Sequence, residues 1–140
     1  MGRRQELVRD ARIHPETEWA KPEVARALQA HWQNTTEQEH RRALAQLVKR
    51  YLRQPSDSLL EVGSGTGAAL RELLGPDLPY LGIERSLAML DYCRQLHPEG
   101  PFRLGDGAYL DLPDHSYDLV VAFEVLGHLQ DPRRVLAEMW

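Results

Sequence analysis

Leu59-Leu60-Glu61-Val62-Gly63-Ser64-Gly65-Thr66-Gly67 sets an apolar run directly before three glycines at alternate positions. Leu59, Leu60 and Val62 read as a short buried strand, and the glycines end it at once. Ala68-Ala69-Leu70-Arg71-Glu72-Leu73-Leu74 follows with Leu70, Leu73 and Leu74 at helical spacing. Such a strand, turn and helix bring unpaired N–H groups and a positive dipole end to the strand's end. Glycine suits that turn because a ligand can approach the backbone where a Cβ would intrude. The stretch therefore reads as a cofactor crevice. Gly63-x-Gly65-x-x-Ala68 also satisfies the relaxed dinucleotide fingerprint, with Glu84 about 20 residues further on, so a nicotinamide cofactor stays open on these residues alone.

Downstream, strands alternate with helices. Tyr80-Leu81-Gly82-Ile83 is a second strand ending at Glu84, and Ser86 caps a helix with Leu87, Leu90, Cys93 and Arg94 inward. Phe102-Arg103-Leu104 is a brief third strand. Residues 117–123 form a fourth, whose near-continuous apolar run suits burial on both faces. Asp131-Pro132 starts a final helix with Val135, Leu136 and Met139 on one side. This order predicts an α/β fold: a Rossmann-like parallel sheet of about four strands with flanking helices over 56–140.

Residues 1–55 read as an N-terminal helical segment. The expected helices are Gln5–Arg12, stopped by His14-Pro15, then Glu16–Gln33, and a third to about Arg53 with Thr36 and Glu39 as its capping box. Val24, Leu28, His31 and Trp32 share one face of the second, and Leu44, Leu47, Val48 and Tyr51 one face of the third. Trp19, Trp32 and Tyr51 read first as packing; the functional reading is a lid on the crevice and the substrate side.

The 140 residues suffice for one globular domain with a core. No apolar run approaches the roughly 18 residues of a membrane span, and the polar start does not lead into a signal-peptide core. One cysteine excludes an internal disulfide and suits a reducing compartment, so a cytoplasmic protein is expected. Net charge is −4, divided as +4 over residues 1–55 and −8 over 56–140. Both signs interleave along the N-terminal helices, which argues for solvated faces and against a nucleic-acid partner.

Glu61, Glu84, Asp106 and Glu124 all fall at the carboxyl ends of expected strands, the edge where open parallel sheets bind ligands. A carboxylate such as Glu84 there can accept hydrogen bonds from vicinal ribose hydroxyls.

Four stretches in this order carry a resemblance: Leu60–Gly67, Gly82–Ser86, Gly105-Asp106-Gly107-Ala108 and Tyr117–Leu129. Together they resemble class I S-adenosylmethionine-dependent methyltransferases, nearest to the group that methylates small molecules, including the quinone-biosynthesis type. The resemblance spans about 58–140. It implies that Gly63, Gly65 and Gly67, with Ser64 between them, admit the methionine portion of the cofactor, with Glu61 near its amino group. It implies that Glu84, followed by Arg85, holds the ribose; that Asp106 accepts from the adenine amino group while Gly107 and Ala108 frame the ring; and that Phe123 and Glu124 lie near the reacting methyl. His128 matches a histidine common in this motif, though packing or capping explains it as well. No general base is identified. His14, His31, His40, His97 and His115 lack metal-ligand spacing, and Cys93 reads as core.

The seven-stranded sheet that the resemblance implies would extend past Trp140, so the expected fold is truncated relative to it, with the fourth strand as an apolar edge. A fragment, a partner chain supplying strands, and a shortened member acting as a homo-oligomer through that edge are three readings of this. The expected activity is methyl transfer from S-adenosylmethionine to a small-molecule acceptor. The rivals are a non-catalytic cofactor-binding module completed by a partner and an NAD-dependent oxidoreductase.

Overall fold

The computed structural model describes residues 21–67 and 70–140. The helix expected over Gln5–Arg12, Trp19, and residues Ala68 and Ala69 lie outside the described residues. Helices α1 (Pro22–Trp32) and α2 (Thr35–Tyr51) precede β1 (Leu59–Val62), α3 (Arg71–Leu74), β2 (Tyr80–Glu84), α4 (Leu87–Leu96), β3 (Phe102–Leu104), β4 (Leu119–Val121) and α5 (Pro132–Met139).

The four strands form one parallel sheet in the order β3-β2-β1-β4. From β1 the chain moves outward through β2 to β3, then returns to the other side of β1 with β4. The reversal point is therefore the gap between β1 and β4, where an open α/β sheet leaves a crevice beyond its carboxyl ends.

Side chains alternate across the sheet as the pleat requires. Leu59 and Tyr80 join Val48, Leu70, Leu90, Cys93 and Phe102 in one core cluster. Leu60, Val62, Leu81 and Ile83 meet Leu110 and Val135 in the other. Helices thus cover both faces, α2, α3 and α4 on one and α5 on the other. Ser86 caps α4 by accepting from the Met89 N–H at 3.2 Å, and Asp131 caps α5 by accepting from the Arg134 N–H at 3.2 Å.

Several local expectations shift. The helix after the glycine turn is the single turn Arg71–Leu74, with no side-chain cap at Leu70, so it offers no extended dipole to a ligand. Asn34, not Thr36, caps α2, accepting from the Thr36 N–H at 3.0 Å. Strand β4 has three residues, all half-buried, because among the described residues β1 is its sole partner in the sheet.

The buried stripe of α2 is Arg41, Ala45 and Val48, whereas Leu47 and Tyr51 are exposed; that of α1 is Ala25, Gln29 and Trp32, whereas His31 is exposed. In α4, Met89 joins Leu90 and Cys93 inside, while Leu87 and Arg94 stay out. Hydrophobic spacing does not register that a glutamine and an arginine share the buried stripes of α1 and α2, held there by polar partners.

Candidate functional site

At the β1/β4 reversal lies a cavity of about 190 Å³, bounded by the glycine turn, the ends of β2, β3 and β4, and helix α1. Its shape follows from backbone that only glycine tolerates well. Gly63 has φ +80°, and a Cβ there would sit 2.3 Å from Val125 Cγ2, so the turn after β1 nests under the chain leaving β4. The Gly63 N–H donates to the Ile83 carbonyl at 2.7 Å, pinning the turn to β2.

Glu84 ends β2 and faces the cavity. Its Oε2 accepts from the Gly65 N–H at 2.9 Å and its Oε1 from the Ser86 N–H at 2.7 Å. One carboxylate thus joins the glycine turn to the start of α4, and each oxygen keeps further acceptor capacity. Burial raises its pKa above the ordinary carboxylate value, while the N–H groups of Ser86, Gly65 and Arg85 oppose that rise. Asp106, beyond β3, closes its own turn by accepting from the Ala108 N–H at 2.9 Å and also lines the cavity.

The remaining walls are apolar. Trp32 of α1 lies against Phe123 beyond β4, ring centroids 5.6 Å apart, with Leu28 beside them. Glu124 follows with φ +53°, a conformation uncommon for a side-chain-bearing residue, and it too lines the cavity.

Of the residues singled out in the sequence, Gly63, Ser64, Gly65, Glu84, Arg85, Asp106, Gly107, Phe123 and Glu124 line this one cavity, and so does His128. Glu61, Gly67 and Ala108 do not. The strand pleat turns Glu61 to the opposite face, where the Tyr80 hydroxyl donates to it. Gly67 backs onto Phe102, His97 and Cys93, and the side chain of Ala108 packs in the core under α5. Sequence reading missed Val125, whose side chain roofs Gly63, and Met89, one turn into α4. Met89 was legible from its place three residues after the capping Ser86; Val125 carried no signal apart from following Glu124.

The donor set fits an adenosine-containing cofactor bearing an amino-acid tail. Ser64 lines the cavity, and its buried hydroxyl, set beside Gly82, has no hydrogen-bond partner among the described residues. Glu84 and Asp106 offer two separate carboxylates, and Ile83, Met89 and Val62 supply apolar surface for a flat ring.

Residues 60–140 match the family described as a methyltransferase domain. The demethylmenaquinone methyltransferase of Renibacterium salmoninarum is 31% identical over 85 residues, which cover 61% of this chain and 36% of that protein. The phosphatidylethanolamine N-methyltransferase of Cereibacter sphaeroides is 37% identical over 87 residues, 58% of this chain and 42% of that protein. The chain thus spans less than half the length of either relative. Among solved structures, S-adenosylmethionine-bound CalS10, an amino pentose methyltransferase from Micromonospora echinaspora, shares the fold with a TM-score of 0.60 at 24% identity, covering 95% of this chain and 50% of that one. With more than half of its residues matched and the sheet, glycine turn and strand-end carboxylates in place, this chain belongs to the methyltransferase domain family of class I S-adenosylmethionine-dependent enzymes.

Proposed function

We propose that the cavity binds S-adenosylmethionine and that the protein transfers its methyl group to a small-molecule acceptor. The observation that carries this reading is the convergence of Glu84, Asp106 and Ser64 on one cavity beside the glycine turn. Glu84 would hold the ribose hydroxyls and Asp106 the adenine amino group, each as an acceptor already fixed by backbone N–H groups. Gly63, Ser64 and Gly65 would flank the methionine portion. S-adenosylmethionine supplies an electrophilic methyl on a sulfonium that is itself a good leaving group.

The chain's own contribution is alignment and exclusion of water. Trp32, Leu28 and Phe123 form an apolar wall that keeps bulk solvent from the reacting centre, and the helical segment bearing α1 acts as the lid and substrate side. Glu124 and His128 lie on the cavity lining where an acceptor would enter. The buried free thiol of Cys93 fits a reducing, cytoplasmic setting.

A second reading is a cofactor-binding unit whose sheet is completed by another chain or a second copy of this one. The half-buried β4, paired on one side, favours it. Calorimetric titration with S-adenosylhomocysteine, and with NAD in parallel, tests the cofactor; saturable binding of the first alone is expected, and binding of NAD alone would overturn it. Turnover by the isolated chain would sink the second reading.

A further inference from the structure

Between the N-terminal helices and the glycine turn runs a polar network that the cofactor reading does not use. The Thr66 hydroxyl donates to Gln29 Oε1 at 2.7 Å, and Gln29 Nε2 donates to Glu72 Oε1 at 3.2 Å. Glu72 Oε2 accepts from Arg41 Nη2 at 3.0 Å, and Arg41 Nη1 donates to the Trp32 carbonyl, also at 3.0 Å. Gln29, Arg41 and Thr66 are all buried.

The chemistry of the partners fixes the orientation of each group. A carboxylate only accepts, so the Gln29 amide must turn its NH₂ to Glu72 and its carbonyl to Thr66. Thr66 must then donate. A buried amide satisfied at both ends is costly to disturb, since either loss strands a polar group away from water.

Thr66 sits between Gly65 at φ +58° and Gly67 at φ +79°, the most conformationally permissive stretch of the chain. The neighbouring Ser64 hydroxyl has no partner among the described residues, and Thr66 carries the side-chain tie from this loop to α1. The same helix places Leu28 where a Cβ at Gly65 would lie 3.4 Å away, and Trp32 on the cavity wall.

We infer that Gln29 is a positioning residue: by holding the Thr66 hydroxyl it fixes the Gly65–Gly67 loop for the cavity's ligand, so that the N-terminal helices and the glycine turn bind as one unit. Arg41 anchors this arrangement by gripping both Glu72 and the end of α1. The inference rests on the S-adenosylmethionine reading for the identity of the ligand, but not for the coupling itself.

The test uses the full chain and three variants, Thr66→Val, Thr66→Ser and Gln29→Leu. The two probes are S-adenosylhomocysteine and 5′-methylthioadenosine, which lacks the amino-acid tail that the loop would hold. Thr66→Val and Gln29→Leu are each expected to raise the Kd for S-adenosylhomocysteine about tenfold, and that for methylthioadenosine less than about threefold, a split that general destabilisation would not produce. Thr66→Ser, which keeps the hydroxyl, should match the wild type. The double variant Gln29→Leu/Thr66→Val should lose little beyond Gln29→Leu alone, since both changes break the same Thr66–Gln29 bond and only Gln29→Leu also breaks the bond to Glu72.

Amide hydrogen exchange at Gly65 and Gly67 in the ligand-free protein gives an independent readout. It should speed up about tenfold in Thr66→Val and stay unchanged in Thr66→Ser. Faster exchange in Thr66→Val, together with a wild type that binds neither probe, would uphold the coupling and reject the proposed cofactor. Unchanged exchange, or equal weakening of both probes, would overturn the inference.

Discussion

The Tyr80 hydroxyl donates to Glu61 Oε2 across 2.5 Å, linking neighbouring strands β2 and β1 inside the sheet. Glu61 is 1% and Tyr80 6% exposed, so this is a carboxyl group in the core with one hydrogen-bond partner. Burial pushes the Glu61 pKa up to about 8; the Tyr80 bond lowers it and the charge of Glu84 adds to the rise. Tyr80 moves upward for matching reasons, burial first and then the Glu61 charge.

This pair makes stability depend on pH in a defined direction. In the pH range between the ordinary carboxyl pKa and about 8, the native state keeps the Glu61 proton and the unfolded chain has lost it. The stabilisation is full at acid pH and is lost as pH rises through the native pKa. Urea unfolding should therefore show stability falling by about 3 kcal/mol from pH 5.5 to 8.5 on account of this group. Glu61→Gln should remove most of that slope. An unchanged slope in the variant would show that Glu61 is ionised at neutral pH in the fold.

Gly63 and Gly127 form a matched pair for testing the turn. Gly63→Ala forces a side chain into φ +80° and places its Cβ 2.3 Å from Val125 Cγ2, whereas a Cβ at Gly127 meets nothing within 4 Å. The first change should cost on the order of 2–4 kcal/mol in denaturant unfolding and abolish binding of S-adenosylhomocysteine. The second should stay within about 0.5 kcal/mol of wild type. Equal effects would mean that the turn adapts and that the approach of Val125 is not what fixes it.

Glu84 joins the glycine turn to α4 through two N–H groups, so its removal should be felt in binding and in folding. Glu84→Gln turns an NH₂ toward one of those donors and leaves it unpaired. A loss of about 1–3 kcal/mol in stability is expected, together with at least a tenfold weaker Kd for S-adenosylhomocysteine. Normal affinity in a stable Glu84→Gln protein would place the ribose elsewhere.

The strands and strand-end acids were legible because their signals are local: an apolar run, a glycine, a carboxylate, each within a few residues. The same is true of the Ser86 and Asp131 caps. What escaped was non-local. Arg41 and Gln29 were not singled out, since nothing near them in sequence announces that Glu72 and Thr66, 31 and 37 positions away, will bond them in the interior. Glu61 was placed at the strand's carboxyl end correctly, but its side is decided by the pleat: with Val62 packed toward Gly107, its neighbour had to face Tyr80. The short β4 has the same origin, because a run of apolar residues predicts burial that only a second neighbouring strand would supply.

Asp106 separates the two carboxylate assignments. Its Oδ1 is committed to the Ala108 N–H, so replacing it both removes an acceptor from the cavity and frees the turn that carries Gly107. Gly107 cannot compensate by moving inward, since a Cβ there would already lie 2.6 Å from Val62 Cγ1. Asp106→Asn keeps an oxygen for the turn and exchanges the other for an NH₂ that would oppose an adenine amino donor. Its Kd for S-adenosylhomocysteine should rise about tenfold with little change in melting temperature. Replacing adenine by hypoxanthine in the ligand exchanges the amino donor for a carbonyl, which the asparagine NH₂ can meet. Asp106→Asn should therefore favour S-inosylhomocysteine relative to wild type, and competition calorimetry with the two ligands measures that reversal. Parallel loss for both ligands would show that Asp106 shapes the turn without reading the base.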